Sequence, residues 1–259
     1  MSGGVNIGNI TMKIIRVLWG VNVTHEVPRK PLFPDLEEIV YVYGIENFWL
    51  LKEKGYNTRL VREDLFNGEL DWFGKKLQVL DLALQEFGEV LLLDWDCYLA
   101  KPLDKNFFNS LKSKPIQIPL YIQHKDTKNA ILEILPKQHS KLLNELTELE
   151  KGFKKYGWEW EEGIVAPNFG FVYCRDKTFG QKLINIAKKH NLNSVVDEFA
   201  TLIYANCSLD EYIEKYTPNV LFGRSNTMLI YDCRLHNIGK KFNQFLDKKL
   251  NITPYFEHV

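Results

Sequence analysis

Long hydrophobic runs are what this 259-residue sequence most plainly lacks. No apolar stretch approaches the roughly 20 residues an α-helix needs to cross a bilayer. The opening MSGGVNIGNI has neither the basic segment nor the apolar segment of a secretory leader. Cysteine is also scarce: Cys97, Cys174, Cys207 and Cys233 are scattered with no CxxC pair, so neither a zinc knuckle nor a disulfide scaffold is indicated. Net charge is missing as well, because 33 Lys and Arg balance 33 Asp and Glu. No overall field then recruits nucleic acid or an anionic membrane, and an anionic ligand has to be held locally. Repeats and low-complexity linkers are absent too, so no domain boundary is readable. These absences predict a cytoplasmic protein with no transmembrane segment and no nucleic-acid partner. They leave one domain over residues 1–259, with residues 1–11 as a flexible lead.

What is present is apolar and aromatic, 45% and 13% of the chain, enough for a sizeable core. MKIIRVLW (12–19) and EEIVYVYG (37–44) read as strands, NFWLLKEKG (47–55) as a helix ended by glycine, and YNTRLV (56–61) as a further strand. Between Trp72 and Phe87, the residues Leu77, Leu80, Leu84 and Phe87 recur at three- and four-residue steps, which predicts a helix packed on a sheet. EVLLLD follows Gly88, an unbroken apolar run suited to a central strand covered on both faces. The alternation predicts an α/β fold, a single domain whose central mixed, mainly parallel sheet is flanked by helices. In the second half, PIQIPLYI (115–122) and NFGFVYCR (168–175) read as strands. The stretches 138–156, 177–190 and 194–206 read as helices.

Asp94 and Asp96 stand one residue apart where EVLLLD leaves the core. Two aspartates in a turn are ordinarily a surface feature. At the carboxyl end of a buried strand, where ligands of parallel sheets sit, they can instead turn toward one hard divalent cation. Asp96 then bonds it directly, and Asp94 reaches the metal or a ribose hydroxyl. Asp197 and Glu198 open a helical segment, where acidic residues suit the helix dipole. One of them could also face an acceptor hydroxyl or orient a sugar. Trp158 and Trp160 could stack on sugar rings. Lys75 and Lys76 read by default as solvated helix lysines, one of which could reach a phosphate.

At this point VLLLDWDCYLAKPLD resembles the strand and DxD segment of nucleotide-sugar glycosyltransferases of the GT-A fold. APNFGFVYCRD (166–176), VVDEFATLIYA (195–205) and HNIGKKF (236–242) resemble, in order, further segments of the glycogenin and lipopolysaccharide galactosyltransferase group. The resemblance implies Mn²⁺ (or Mg²⁺) held by Asp94, Asp96 and His236, with a UDP-sugar as donor. It also implies donor contacts from Trp19, Gly20, Asn22, Lys76, Asn168, Gly170, Gly239, Lys240 and Lys241, and a catalytic site at Asp197 and Glu198. The implied reaction moves a sugar to a hydroxyl of a glycan, glycolipid or glycoprotein, with retention of configuration. Three positions depart from the group's pattern. Phe242 replaces its lysine, so that Lys240 or Lys241 must serve; Glu198 replaces its glutamine; Phe169 replaces a small residue.

Three alternatives compete. An inverting transferase would use Asp197 or Glu198 as its base. A HAD-type phosphatase would use Asp94 as nucleophile, although that motif normally opens its domain. A non-catalytic nucleotide-sugar or glycan-binding module would bind without turnover.

Overall fold

The structure is a computed structural model that describes residues 12–20, 36–66, 72–95, 97–99, 103–124, 163–192, 196–207, 209–216 and 256–258. Strand β1 (Lys13–Leu18) starts the sheet, followed by β2 (Glu38–Val42), α1 (Ile45–Glu53), β3 (Asn57–Leu60), α2 (Trp72–Phe87) and β4 (Val90–Leu93). Next come β5 (Cys97–Leu99), α3 (Lys105–Lys112), β6 (Ile116–Gln117), β7 (Leu120–His124), β8 (Gly163–Pro167) and β9 (Phe171–Cys174). The described chain ends with α4 (Phe179–Lys189), α5 (Val196–Ala205), α6 (Leu209–Tyr216) and β10 (Phe256–His258).

The main sheet has six strands in the order β3-β2-β1-β4-β9-β6. The first three neighbouring pairs are parallel, and β9 runs antiparallel to both β4 and β6. The sheet is therefore mixed and mainly parallel, as the strand and helix rhythm predicts. From β1 the chain passes to β2 and β3 on one side, then crosses to β4 on the other. This reversal puts the topological switch point at the carboxyl ends of β1 and β4, the place where ligands bind in such sheets. β4 is buried over all of VLLL, which explains its lack of alternation: helices or loops cover both of its faces.

Helix α2 covers the span its periodicity predicts, and its apolar stripe of Leu77, Leu80, Ala83 and Leu84 lies in the core. Gly88, at φ 78°, lets the chain turn from α2 into β4 in a conformation that other residues adopt only with strain. Gly180 lets α4 approach α2 closely, since a Cβ there would sit 2.6 Å from the Asp81 Cα. Two expectations in the second half need correction. PIQIPLYI is not one strand. It divides at Ile118 and Pro119 into β6 of the main sheet and β7 of a separate pair with β8. Pro119 has no N–H for a ladder, its carbonyl accepts from the Asn168 N–H at 2.8 Å, and the Ile118 N–H donates to the Tyr216 carbonyl at 2.7 Å. NFGFVYCR likewise begins with a turn, and only its last part is β9. The stretch 138–156, with Trp158 and Trp160, lies outside the described residues.

Candidate functional site

β4 ends at Leu93, and the next residue, Asp94, stands half-buried at the switch point of the sheet. The Asp94 N–H donates to the Gly170 carbonyl at 2.9 Å, tying the turn after β4 to the turn before β9. Gly170 is fixed in turn by the Asn168 side chain, whose Oδ1 accepts from the Gly170 N–H at 2.7 Å. Asn168 is buried and acts here as an Asx-type turn former.

Lys76 reaches this point from the second turn of α2. Its Nζ lies 2.5 Å from Asp94 Oδ1 and 2.7 Å from Asp94 Oδ2, and 3.7 Å from Asp197 Oδ2. The expectation of solvated lysines is overturned for both neighbours on α2. Lys76 is buried between two carboxylates. Lys75 is buried too, pairs with Asp64, donates to the Phe66 carbonyl at 3.0 Å and lies over the Tyr43 ring. The register explains it: their positions on the first turns of α2 face the sheet edge and the 61–66 segment, where an ammonium without partners would be costly.

Asp197 and Glu198 open α5 as their acidic first turn, and both are buried. Asp197 Oδ1 accepts from the Glu198 N–H at 3.0 Å, and its carbonyl accepts from Thr201 Oγ1 at 2.7 Å. Burial raises the Asp197 carboxyl to about 6, with Lys76 opposing and Asp94 adding to the rise. Burial alone would lower the Lys76 ammonium, but Asp94 and Asp197 outweigh it and hold the ammonium above its usual value. Lys76 therefore stays charged, facing the carboxylates of Asp94, Asp197 and Glu198.

On the same edge, a cavity of about 510 Å³ opens beyond β1 and β2, walled by Trp19, Gly20, Tyr43, Ile45, Asn47 and Lys75, among others. Asn47 shapes its rim by donating from Nδ2 to the Gly20 carbonyl at 2.6 Å and to the Tyr43 carbonyl at 3.3 Å.

Of the residues predicted from sequence, Trp19 and Gly20 line this cavity, while Asp94, Lys76, Asp197 and Glu198 come together beyond the end of β4. Asn168 and Gly170 support the turn beside it. Asn22, Asp96, His236, Gly239, Lys240 and Lys241 lie outside the described residues. Among the described residues, no group of three or more His, Cys, Asp or Glu side chains is placed to hold a metal ion.

Sequence reasoning missed Arg16 and Glu38. Arg16 interrupts an otherwise apolar strand, and Glu38 opens the next; a charge inside a buried strand must find a partner, and that was the available signal. It also missed Asn47 and Tyr43, which carry no motif.

No family model matches the chain, and no curated protein matches it. Among solved structures it is similar to the glycosyltransferase GlyE of Streptococcus pneumoniae TIGR4, with 13% identity and a TM-score of 0.45 over 95% of this chain. The chain spans 54% of that structure. It is similar to mouse xyloside xylosyltransferase 1, with 11% identity and a TM-score of 0.42 over 96% of this chain and 97% of that one. It is also similar to the galactosyltransferase LgtC in complex with donor and acceptor sugar analogs, with 11% identity and a TM-score of 0.46 over 96% of this chain and 87% of that one.

Proposed function

We propose that the protein is a glycosyltransferase that moves a sugar from a UDP-sugar to a hydroxyl of a glycan, glycolipid or glycoprotein, with a divalent cation and with retention of configuration. One observation carries the reading. At the topological switch of the sheet, the buried Lys76 ammonium lies between Asp94 and Asp197, with Glu198 beside them, on the sheet edge that also carries a cavity with an aromatic wall. Mn²⁺ or Mg²⁺ suits hard carboxylate oxygens, and Asp94, Asp96 and His236 would be its ligands. When bound, the ion would supply Lewis-acid charge to the leaving diphosphate.

The chain's own residues would do the rest. Trp19 and Ile45 offer apolar faces to a planar base in the cavity, with the Gly20 backbone beside it. Lys76 grips both oxygens of Asp94 and so fixes that carboxylate before the donor arrives, which lowers the ordering cost of binding. Asp197, almost wholly buried, accepts from the Glu198 N–H and would hold Lys76 in place against Asp94. With retention, the leaving diphosphate takes the acceptor proton on the same face, and Glu198 orients the sugar without acting as a base. With inversion, Glu198 would be the base.

A thermal-shift panel of nucleotide sugars with and without Mn²⁺ tests the reading, because a ligand that binds only the native state raises its melting temperature. A shift with a UDP-sugar that requires the metal is the expected result. No shift with any nucleotide sugar would discard it, and a covalent phosphate on Asp94 would replace it with the phosphatase. Proton NMR of the first-formed product reads the anomeric outcome.

A further inference from the structure

The turn after β4 is held from below by a side chain that none of the preceding chemistry uses. Pairing between β1 and β4 stops at Ile15 and Leu92. Arg16 is the next residue of β1, almost wholly buried, and its guanidinium takes over where the ladder ends. Nη1 donates to the Asp94 carbonyl at 2.7 Å and to the Trp95 carbonyl at 3.0 Å, and Nη2 donates to the Cys97 carbonyl at 3.1 Å. Nε faces Glu38 Oε1 at 2.7 Å, a carboxylate as buried as the guanidinium itself. Glu38 is two residues from Val40, the register partner of Arg16, and so lies diagonally across the strand pair. The Trp95 ring lies 5.8 Å from the guanidinium carbon.

A planar fork that bonds three carbonyls from one anchored position does what a lysine cannot, since an ammonium is a point donor on a flexible stem. The bonds are charge-assisted, and so each is stronger than an ordinary amide contact. A turn whose carbonyls are drawn inward toward β1 has its backbone set, and with it the origin of the Asp94 side chain that meets Lys76.

We propose that Arg16 is a positioning residue: anchored by Glu38, it pins the backbone of Asp94, Trp95 and Cys97 and thereby sets the carboxylate geometry of the donor site. The proposal rests on the reading of this turn as the donor site. Its test separates the two ideas.

Two variants of the full chain serve. Arg16→Lys keeps a positive charge for Glu38 and loses the fork. Arg16→Met combined with Glu38→Leu removes both charges together, so that no lone buried charge is left to unfold the protein. Two measurements are made on each. Hydrogen exchange follows the amides of Asp94 and Cys97, which are protected by the Gly170 and Asp94 carbonyls. Calorimetry follows UDP with Mn²⁺. Both variants should exchange faster at these two amides while β1, β2 and β4 stay protected, and UDP affinity should fall about tenfold or more as charge-assisted bonds are lost.

Acceleration spread evenly over β1, β2 and β4 would overturn the proposal in favour of a purely structural pair. Unchanged protection of the turn would overturn it, and so would a loosened turn with unchanged UDP affinity. If the wild-type protein does not bind UDP with Mn²⁺, the donor-site reading fails by itself. The exchange contrast then still decides the pin, with acceleration confined to the turn supporting it and no acceleration refuting it.

Discussion

The two ends of the main sheet carry their ion pairs under different rules. At the amino ends, Lys13 pairs with Glu37 on the surface, with 27% and 47% of their side chains exposed. At the carboxyl ends, Lys76 joins Asp94 and Asp197 with 8%, 17% and 1% exposed. The charges are of the same kind, but water surrounds the first pair and is largely excluded from the second. A surface pair is screened and gains little, about 0–1 kcal/mol. A buried cluster is costly to assemble and costlier to break from one side, because the partner left behind keeps a charge that nothing solvates. Such an arrangement, costly to the fold, lies at the sheet edge where ligands bind in α/β sheets of this kind, and perturbed carboxyl groups cluster at functional sites.

The sharpest way to break this contrast is Lys76→Met. It removes the buried ammonium from between Asp94 and Asp197, and equilibrium unfolding in urea should show a loss of about 3–5 kcal/mol. A loss below about 1 kcal/mol would mean that water already reaches the cluster and that the two ends do not differ.

Next in size is Glu198→Gln, read in turnover. A general base contributes roughly 10²–10⁴-fold to rate. A loss much smaller than that fits retention, and a loss within that range fits Glu198 as the base of an inverting displacement.

A smaller effect distinguishes Asp197 through pH. Its folded carboxyl is raised to about 6 from 3.8, so the folded state holds this proton more tightly than the unfolded chain does. The resulting stability is fully present below the unfolded value and is lost as pH rises through about 6, where the buried carboxylate becomes charged. Relative to Asp197→Asn, the wild type should lose stability between about pH 4 and about pH 6 and level off above that. Urea midpoints of both proteins across that range check it, and a flat difference would remove Asp197 from the buried cluster. The smallest effect belongs to the other end of the sheet, where Lys13→Ala should cost no more than about 1 kcal/mol and less in high salt.

What was readable in the sequence follows from where physical patterns are local. Helix α2 is legible from residue 72 to residue 87, because its apolar spacing is the period of the helix itself. β4 is legible because four apolar residues in a row suit a strand buried on both faces. Asp94 stands out because it breaks that run. The break at Pro119 could have been anticipated from the proline alone. The fate of Lys76 could not. A lysine on a helix is solvated unless the fold brings carboxylates to it, and Asp94 and Asp197 lie 18 and 121 positions further along the chain.

By itself, then, the sequence determined the elements from β1 to β4 apart from their exact ends, the α/β class and the residue at which the buried strand β4 stops, since hydrophobic period and chain punctuation act over a few neighbours. Only the tertiary structure decided that Lys76 would be buried between Asp94 and Asp197, that Arg16 would hold the carbonyls of the following turn, and that Asn47 would shape the cavity beside Trp19. Those partnerships depend on which strands lie side by side at the crossover from β1 to β4, and burial, which turns a charge from solvated to obligately paired, is a property of the assembled sheet.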